Sequence, residues 1–237
     1  MRVATAALLC VLLLYVLPAA SQPAVPPDLT EGIRELVAIN RTNRQFMRIG
    51  TAFHTGDGVF HTSAHVAKAK LPDGYTEFYL ASRTATLSIS SWAGPATVAC
   101  VHKAWRPQQV EEGQTAPYDV ATVKIEKPEG IPTLRFSATR PQLGQLVRMA
   151  GFAAASRAWP PVLYVSSGRI TSIDYTRQST TIDIDAGFAL EGSSGSPVLD
   201  AQDGVVGIVF GRQGERGSGA AARVFAVYVD AIKTVCD

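Results

Sequence analysis

Apolar positions in this chain fall in short runs that alternate with polar ones, broken every few residues by Gly, Pro, Asn or Asp. Period-two alternation between turn residues is the pattern of half-buried β-strands. In the first half it predicts strands at 34–39, 46–55, 59–63, 77–81, 84–90, 96–102 and 121–124. In the second half it predicts strands at 146–152, 162–173, 180–185, 197–200, 205–210 and 223–227. Pro128, Pro132 and Pro141 mark a connector between the halves. Only the end changes period. Val229, Ile232 and Cys236 recur at i, i+3 and i+7, which predicts one amphipathic helix over about 228–236. The fold class is all-β, a sandwich or a barrel; alternation is the same in both and does not choose.

The N-terminus follows a different rule. Arg2 precedes an apolar run over 4–17, and Pro18-Ala19-Ala20-Ser21 follows it. A basic start, a short hydrophobic stretch and small residues make a signal peptide, here 1–21 with cleavage after Ala20 or Ser21. The run is shorter than the 18 or so residues a spanning helix wants, so a retained anchor is the weaker reading. Gln22-Pro23-Ala24-Val25-Pro26-Pro27 then reads as an extended linker over 22–30. Losing 21 residues leaves 216 of the 237, enough for one domain with a sizeable core over 31–237. The lost segment carries one Arg and no acid, so the formal charge falls from +2 to +1. No basic patch points to nucleic acid or to an anionic membrane. Cys10 leaves with the leader. Cys100 and Cys236 remain, an even pair that an exported chain can oxidise to a disulfide, or else two separate buried thiols. Asn40-Arg41-Thr42 is a glycosylation sequon if the host modifies exported asparagines.

Three blocks carry chemistry. Thr62-Ser63-Ala64-His65 places an imidazole just after an apolar strand; Tyr118-Asp119-Val120 places a carboxylate at the head of another; Gly192-Ser193-Ser194-Gly195-Ser196-Pro197 places a serine in a glycine-rich turn. A serine hydroxyl needs a neighbouring base before it can attack. An imidazole accepts and returns a proton near neutral pH, and a carboxylate fixes its tautomer. The catalytic candidates are Ser194 as nucleophile, His65 as base and then acid, and Asp119 as the orienting group. Glycines at 192 and 195 let backbone N–H groups approach a substrate carbonyl, so the N–H groups of Gly192 and Ser194 are the oxyanion-hole candidates. His61 and His65 have the spacing of a zinc-peptidase helix, but Thr62 stands where the glutamate base would be, and no Cys or His cluster adds ligands. Metal is set aside; His54, His61 and His102 default to surface or strand positions. A lipase-type elbow would need Gly at Ser196 and a histidine after the serine, and none occurs after His102. The stretch 211–219 lacks the Gly-Lys-Ser/Thr ending of a phosphate loop.

The order His65, Asp119, Ser194 resembles that of the trypsin-like (chymotrypsin-fold) peptidases, especially secreted bacterial forms such as glutamyl endopeptidases and HtrA-type proteases. Gly50-Thr51-Ala52-Phe53, Gly58-Val59-Phe60 and Thr62–Val66 resemble the family's histidine block. Asp119–Lys124 resembles its aspartate strand, Gly192–Val198 its nucleophile turn, and Gly207–Gly211 the strand beside its specificity pocket. The resemblance implies two six-stranded antiparallel β-barrels, about 31–127 and 140–227, with the triad in the cleft between them. It implies a serine endopeptidase that needs no cofactor and acts on protein or peptide. Oligomeric state is left open, with a monomer assumed, and no stable membrane association is expected once the leader is cut. Ser193 stands where the digestive members have Asp, and no Ile-Val-Gly-Gly start is present, so activation by that ion pair does not apply. Phe188 stands where trypsin itself has an acid. Phe188, Ala189 and Leu190 with Ile208, Val209, Phe210 and Gly211 are the pocket candidates, which suits small or apolar side chains. Glutamate preference lacks a histidine to receive the acid. The competing reading is a catalytically silent binding or adhesion module on the same fold.

Overall fold

The computed structural model describes residues 27–83, 89–107, 117–153, 162–184, 192–213 and 223–237. Two closed antiparallel barrels of six strands each account for most of them. The first is built from β1 (Ile33–Asn40), β2 (Gln45–Gly56), β3 (Val59–Thr62), β4 (Glu77–Arg83), β5 (Ile89–Val101) and β6 (Ala121–Lys124), in the spatial order β1-β2-β3-β6-β5-β4. The second uses β7 (Leu146–Ala153), β8 (Val162–Asp174), β9 (Ser179–Ile184), β10 (Pro197–Leu199), β11 (Val205–Gln213) and β12 (Arg223–Tyr228), in the order β10-β11-β12-β9-β8-β7. Three short helices complete the chain: α1 (Pro27–Glu31), α2 (Ala64–Ala67) and α3 (Val229–Lys233). The helix α1 occupies the end of the proline tract read as linker, and α3 lies inside the helix predicted at the C-terminus.

Alternation along each strand builds three apolar clusters rather than two. Leu36, Ala52, Phe60, Leu80, Ala121 and Val123 fill the first barrel; Val147, Met149, Ile170, Ile182, Val198 and Val224 fill the second. The residues between them on the same strands face outward and meet. Ile33, Phe53 and Val120 from the first barrel pack with Ala150, Phe152, Leu199, Ile208 and Phe210 from the second, and Leu134 of the connector joins them. Each fully buried Phe, Leu or Ile side chain contributes about 1.5–3 kcal/mol relative to exposure, so this seam holds the barrels in one relative orientation. The connector adds hydrogen bonds to both sides. Leu134 N–H donates to the His54 carbonyl, Ser137 N–H to the Val205 carbonyl, and Val205 N–H to the Arg135 carbonyl.

Two predicted strands merge. From Ile89 to Val101 the chain forms one strand, β5, where the pattern predicts a gap between 90 and 96; residues 84–88 of the first predicted strand lie outside the described residues. Phe78 pairs with Ala96 and Leu80 with Ala93, so Gly94 and Pro95 together oppose Tyr79. That irregularity is a bulge, the place where a strand tolerates a residue without an N–H.

Cys100 on β5 is bonded to Cys236 beyond α3, across 136 residues of sequence. The bond ties the first barrel to the end of the chain. Closing so long a loop restricts the unfolded ensemble by about 5 kcal/mol in the chain-entropy model, and measured native disulfides contribute about 2–5 kcal/mol. Cys236→Ser is therefore expected to lower unfolding stability by about 2–5 kcal/mol in denaturant titration. A midpoint unchanged from the oxidised wild type would contradict this.

Candidate active site

His65 sits in the single turn α2, which follows β3 directly. Ala64, Val66 and Ala67 turn inward and are buried, which leaves the His65 side chain on the outer face at 43% exposure. A buried carboxylate grips it twice. Asp119 Oδ1 accepts the His65 backbone N–H at 2.9 Å, and Oδ2 lies 2.7 Å from His65 Nδ1. An ionised carboxylate only accepts, so Nδ1 carries the hydrogen and Nε2 of the neutral ring is left with the lone pair. Asp119 is turned inward by Tyr118, whose φ of +59° is rare for a bulky residue. The Tyr118 ring stacks on His102 at 4.7 Å and its hydroxyl donates to the Thr176 carbonyl of the second barrel, which holds that backbone in place.

The serine turn comes from the second barrel. Of its three serines, Ser193 and Ser196 are buried at 6% and 0% exposure, and Ser194 is half-buried. The turn is fastened on both sides. Toward β11, Gly195 N–H donates to the Val209 carbonyl at 2.7 Å and Val209 N–H to the Ser196 carbonyl at 2.9 Å. Toward the first barrel, the Ser194 carbonyl accepts Thr51 N–H at 2.8 Å, and Ser63 Oγ donates to the Val209 carbonyl at 2.8 Å. Gly195 has φ +91°, and a Cβ there would lie 1.9 Å from the Thr51 carbonyl oxygen. No other residue fits. Gly50 marks where the barrels converge: a Cβ on it would stand 2.8 Å from the Ser194 carbonyl oxygen and 2.9 Å from both Val66 methyls. The serine of one barrel and the residue beside His65 of the other thus share one glycine.

The pocket candidates divide. Phe188, Ala189 and Leu190 lie outside the described residues. Ile208 and Phe210 are buried in the seam and Val209 in the second barrel, while Gly211 is half-buried. Val209 also spends its backbone on Gly195 and Ser196. Pairing of β11 with β10 ends at Ile208, so beyond Val209 the edge facing away from β12 has no strand partner among the described residues.

The other histidines have structural surroundings. The His54 ring stacks on Phe60 at 4.7 Å, with Nδ1 donating toward the carbonyls of Ile131 and Pro132. His102 Nδ1 accepts Ala104 N–H. The His61 ring lies between Phe53 and Phe136, and burial pushes its pKa down to about 4. Among the described residues no three His, Cys, Asp or Glu side chains are grouped as metal ligands. The His61 shift has a sign. The folded pKa lies below the unfolded value near 6.5, so the protein takes no penalty above pH 6.5 and loses stability as pH falls from there toward 4. By pH 5 the loss attributable to His61 is about 2 kcal/mol. Denaturant unfolding at pH 7 and pH 5 checks this: His61→Phe should show a pH dependence weaker by that amount, and equal dependence in both proteins would contradict it.

Thr51 escaped sequence reading. It is fully buried, and its polar atoms meet both the serine turn and β7. A polar residue inside the otherwise apolar stretch Gly50–Phe53 was the available signal; its partners are tertiary.

Two six-stranded barrels, with a His–carboxylate pair on one facing a glycine-rich serine turn on the other, define the chymotrypsin-like class of peptidases. This chain belongs to the trypsin-like peptidase domain family, whose profile matches residues 50–208. Among solved structures it is similar to the Rv3671c protease of M. tuberculosis in its active form (17% identity, 87% of this chain and 80% of that one, TM-score 0.54). It is also similar to the HtrA-type protease AlgW with a decapeptide (15% identity, 88% of this chain and 64% of that one, TM-score 0.58). A third is kallikrein-related peptidase 10 (15% identity, 87% and 93%, TM-score 0.62). At these identities the likeness is one of fold. No curated protein matches the sequence.

Proposed function

We propose that this peptidase is an exported serine endopeptidase working through Ser194, His65 and Asp119. The observation that carries the reading is the double grip of Asp119 on His65, which engages the backbone N–H and Nδ1 and leaves the ring 43% exposed with Nε2 uncommitted to Asp119. In the first step Nε2 of His65 takes the Ser194 hydroxyl proton as Oγ attacks the scissile carbonyl. The N–H groups of Gly192 and Ser194 stabilise the oxyanion. The imidazolium, held by Asp119, gives its proton to the leaving amine, and an acyl-enzyme on Ser194 remains. Water then repeats the cycle, with His65 as base and then acid, and releases the carboxylate product.

Substrate backbone pairs along the open edge of β11 from Phe210 toward Gln213, the mode in which an extended peptide adds a strand. This edge begins at Phe210, because the Val209 backbone is already engaged with Gly195 and Ser196. Export rests on the leader at 1–21, and the Cys100–Cys236 bond suits an oxidising compartment. Digestion of a mixed peptide library, with products identified by mass spectrometry, tests the activity. New internal termini produced by wild type and not by Ser194→Ala support it; intact peptides from folded wild type favour the silent binding module. A mature N-terminus at residue 21 or 22 in exported protein supports cleavage of the leader, and an N-terminus still at Met1 contradicts it.

A further inference from the structure

The side chain of Thr51 joins the two halves of the catalytic cleft. Its hydroxyl oxygen lies 2.9 Å from the Gly192 carbonyl and 3.0 Å from Phe152 N–H. Its backbone N–H donates to the Ser194 carbonyl at 2.8 Å, and its carbonyl accepts the Thr62 hydroxyl at 2.7 Å. A hydroxyl has one proton. The Phe152 N–H can only donate, so the proton of Thr51 is free for an acceptor. The Phe152 carbonyl is farther away, at 3.5 Å, and the Gly192 carbonyl is the one the hydroxyl serves.

One residue of the first barrel therefore holds the carbonyls of Gly192 and Ser194, which flank the Ser194 N–H, the first following directly on the Gly192 N–H. Gly192 has φ +95°. Glycine visits either sign of φ at little cost, so it does not hold its own peptide in one orientation. A peptide group is a rigid plane. Fixing the Gly192 carbonyl fixes the plane it shares with Ser193, and fixing the Ser194 carbonyl fixes the plane it shares with Gly195. The backbone between them, with the N–H of Ser194, is stretched across two anchors on a fully buried strand residue.

We propose that Thr51 is a positioning residue: its hydroxyl, supplied by the first barrel, orients the oxyanion-binding backbone of the second. The assignment rests on the peptidase reading and adds the group that couples the two barrels during the reaction. Thr51 touches no substrate. The backbone bond to Ser194 is available to any residue at this position, whereas the bond to Gly192 needs a hydroxyl.

Thr51→Val keeps the shape and removes the hydroxyl; Thr51→Ser keeps the hydroxyl and removes a methyl. Deleting one oxyanion donor outright costs 100- to 1000-fold, and loosening one is expected to cost somewhat less, about 30- to 300-fold in kcat for valine. KM should stay within about threefold, because the contact matters where charge develops rather than in substrate binding. Affinity for a peptide boronate, which mimics the tetrahedral state, should fall in proportion to kcat. The serine variant should return to within about threefold of wild type. Thermal unfolding establishes that each variant is folded at the assay temperature; if valine is not, Thr51→Cys, similar in size and a weaker donor, replaces it with the same readouts. A folded valine or cysteine variant with wild-type kcat overturns the assignment. So does a loss confined to KM, or a serine variant as impaired as valine. Folded wild type without any hydrolytic activity overturns the peptidase reading itself, and the role of Thr51 with it.

Discussion

Replacing Ser194 with alanine is expected to lower kcat by about 10⁶-fold while the protein stays folded. The substitution deletes a single oxygen. The backbone of residue 194 keeps its bond to Thr51 N–H, and the glycines that shape the turn are untouched. What disappears is the proposed nucleophile, and neither neighbouring serine is placed to replace it. Ser193 is buried, and Ser196 is fully enclosed with its side chain packed against Gly151. The remaining rate, set by substrate positioning and the oxyanion donors, should still exceed that in water. Initial rates on a peptide cleaved by wild type, with a thermal melt of each protein, check the expectation. A folded alanine variant that retains a tenth of the rate would remove Ser194 from the mechanism.

Asp119→Asn should lower kcat by about 10⁴-fold. Both carboxylate oxygens are in use, one on the backbone N–H of His65 and one on Nδ1. An asparagine amide offers one acceptor and one donor group at the same two places. If its oxygen stays on the backbone N–H, its NH₂ faces Nδ1. The ring must then accept at Nδ1 and carry its hydrogen on Nε2, where it can no longer take a proton from Ser194. If the amide flips, Nδ1 keeps its partner but the start of α2 loses its own. Both arrangements impair the base, the first by tautomer and the second by displacement. Kinetics combined with nitrogen NMR of His65 separate them: the mutant should shift toward the Nε2–H tautomer. A loss of less than tenfold would mean that the carboxylate does not govern the ring.

Much of this site was legible in the sequence because its parts are local. A histidine after Thr62-Ser63-Ala64, an aspartate heading the strand 121–124 and a serine between glycines are each set by a few adjacent residues. Strand positions were legible for the same reason: alternation at 121–124 returns as β6 with the same ends. What alternation does not encode is closure. Barrel or sandwich depends on register and bulges, such as the shift between Leu36 and Val37, which leave no mark on a period-two pattern. One turn of helix at α2 is too short to show a period. The gap predicted between 90 and 96 contains Gly94-Pro95, a pair that usually interrupts strands, and a bulge absorbs it instead. The apolar residues Ile208 and Phe210 looked like pocket walls; alternation on β11 aims them at the other barrel, where they build the seam. Burial of His61 and the four bonds of Thr51 are tertiary facts, fixed only once the barrels meet.

The proposed mechanism requires an activated nucleophile at Ser194. Its most direct test is to incubate folded wild type and Ser194→Ala with a fluorophosphonate and measure intact mass, then locate the adduct by peptide mapping. One adduct on wild type, at Ser194, and none on the alanine variant is the expected result. Unlabelled folded wild type, or a label that persists in the alanine variant, would contradict it.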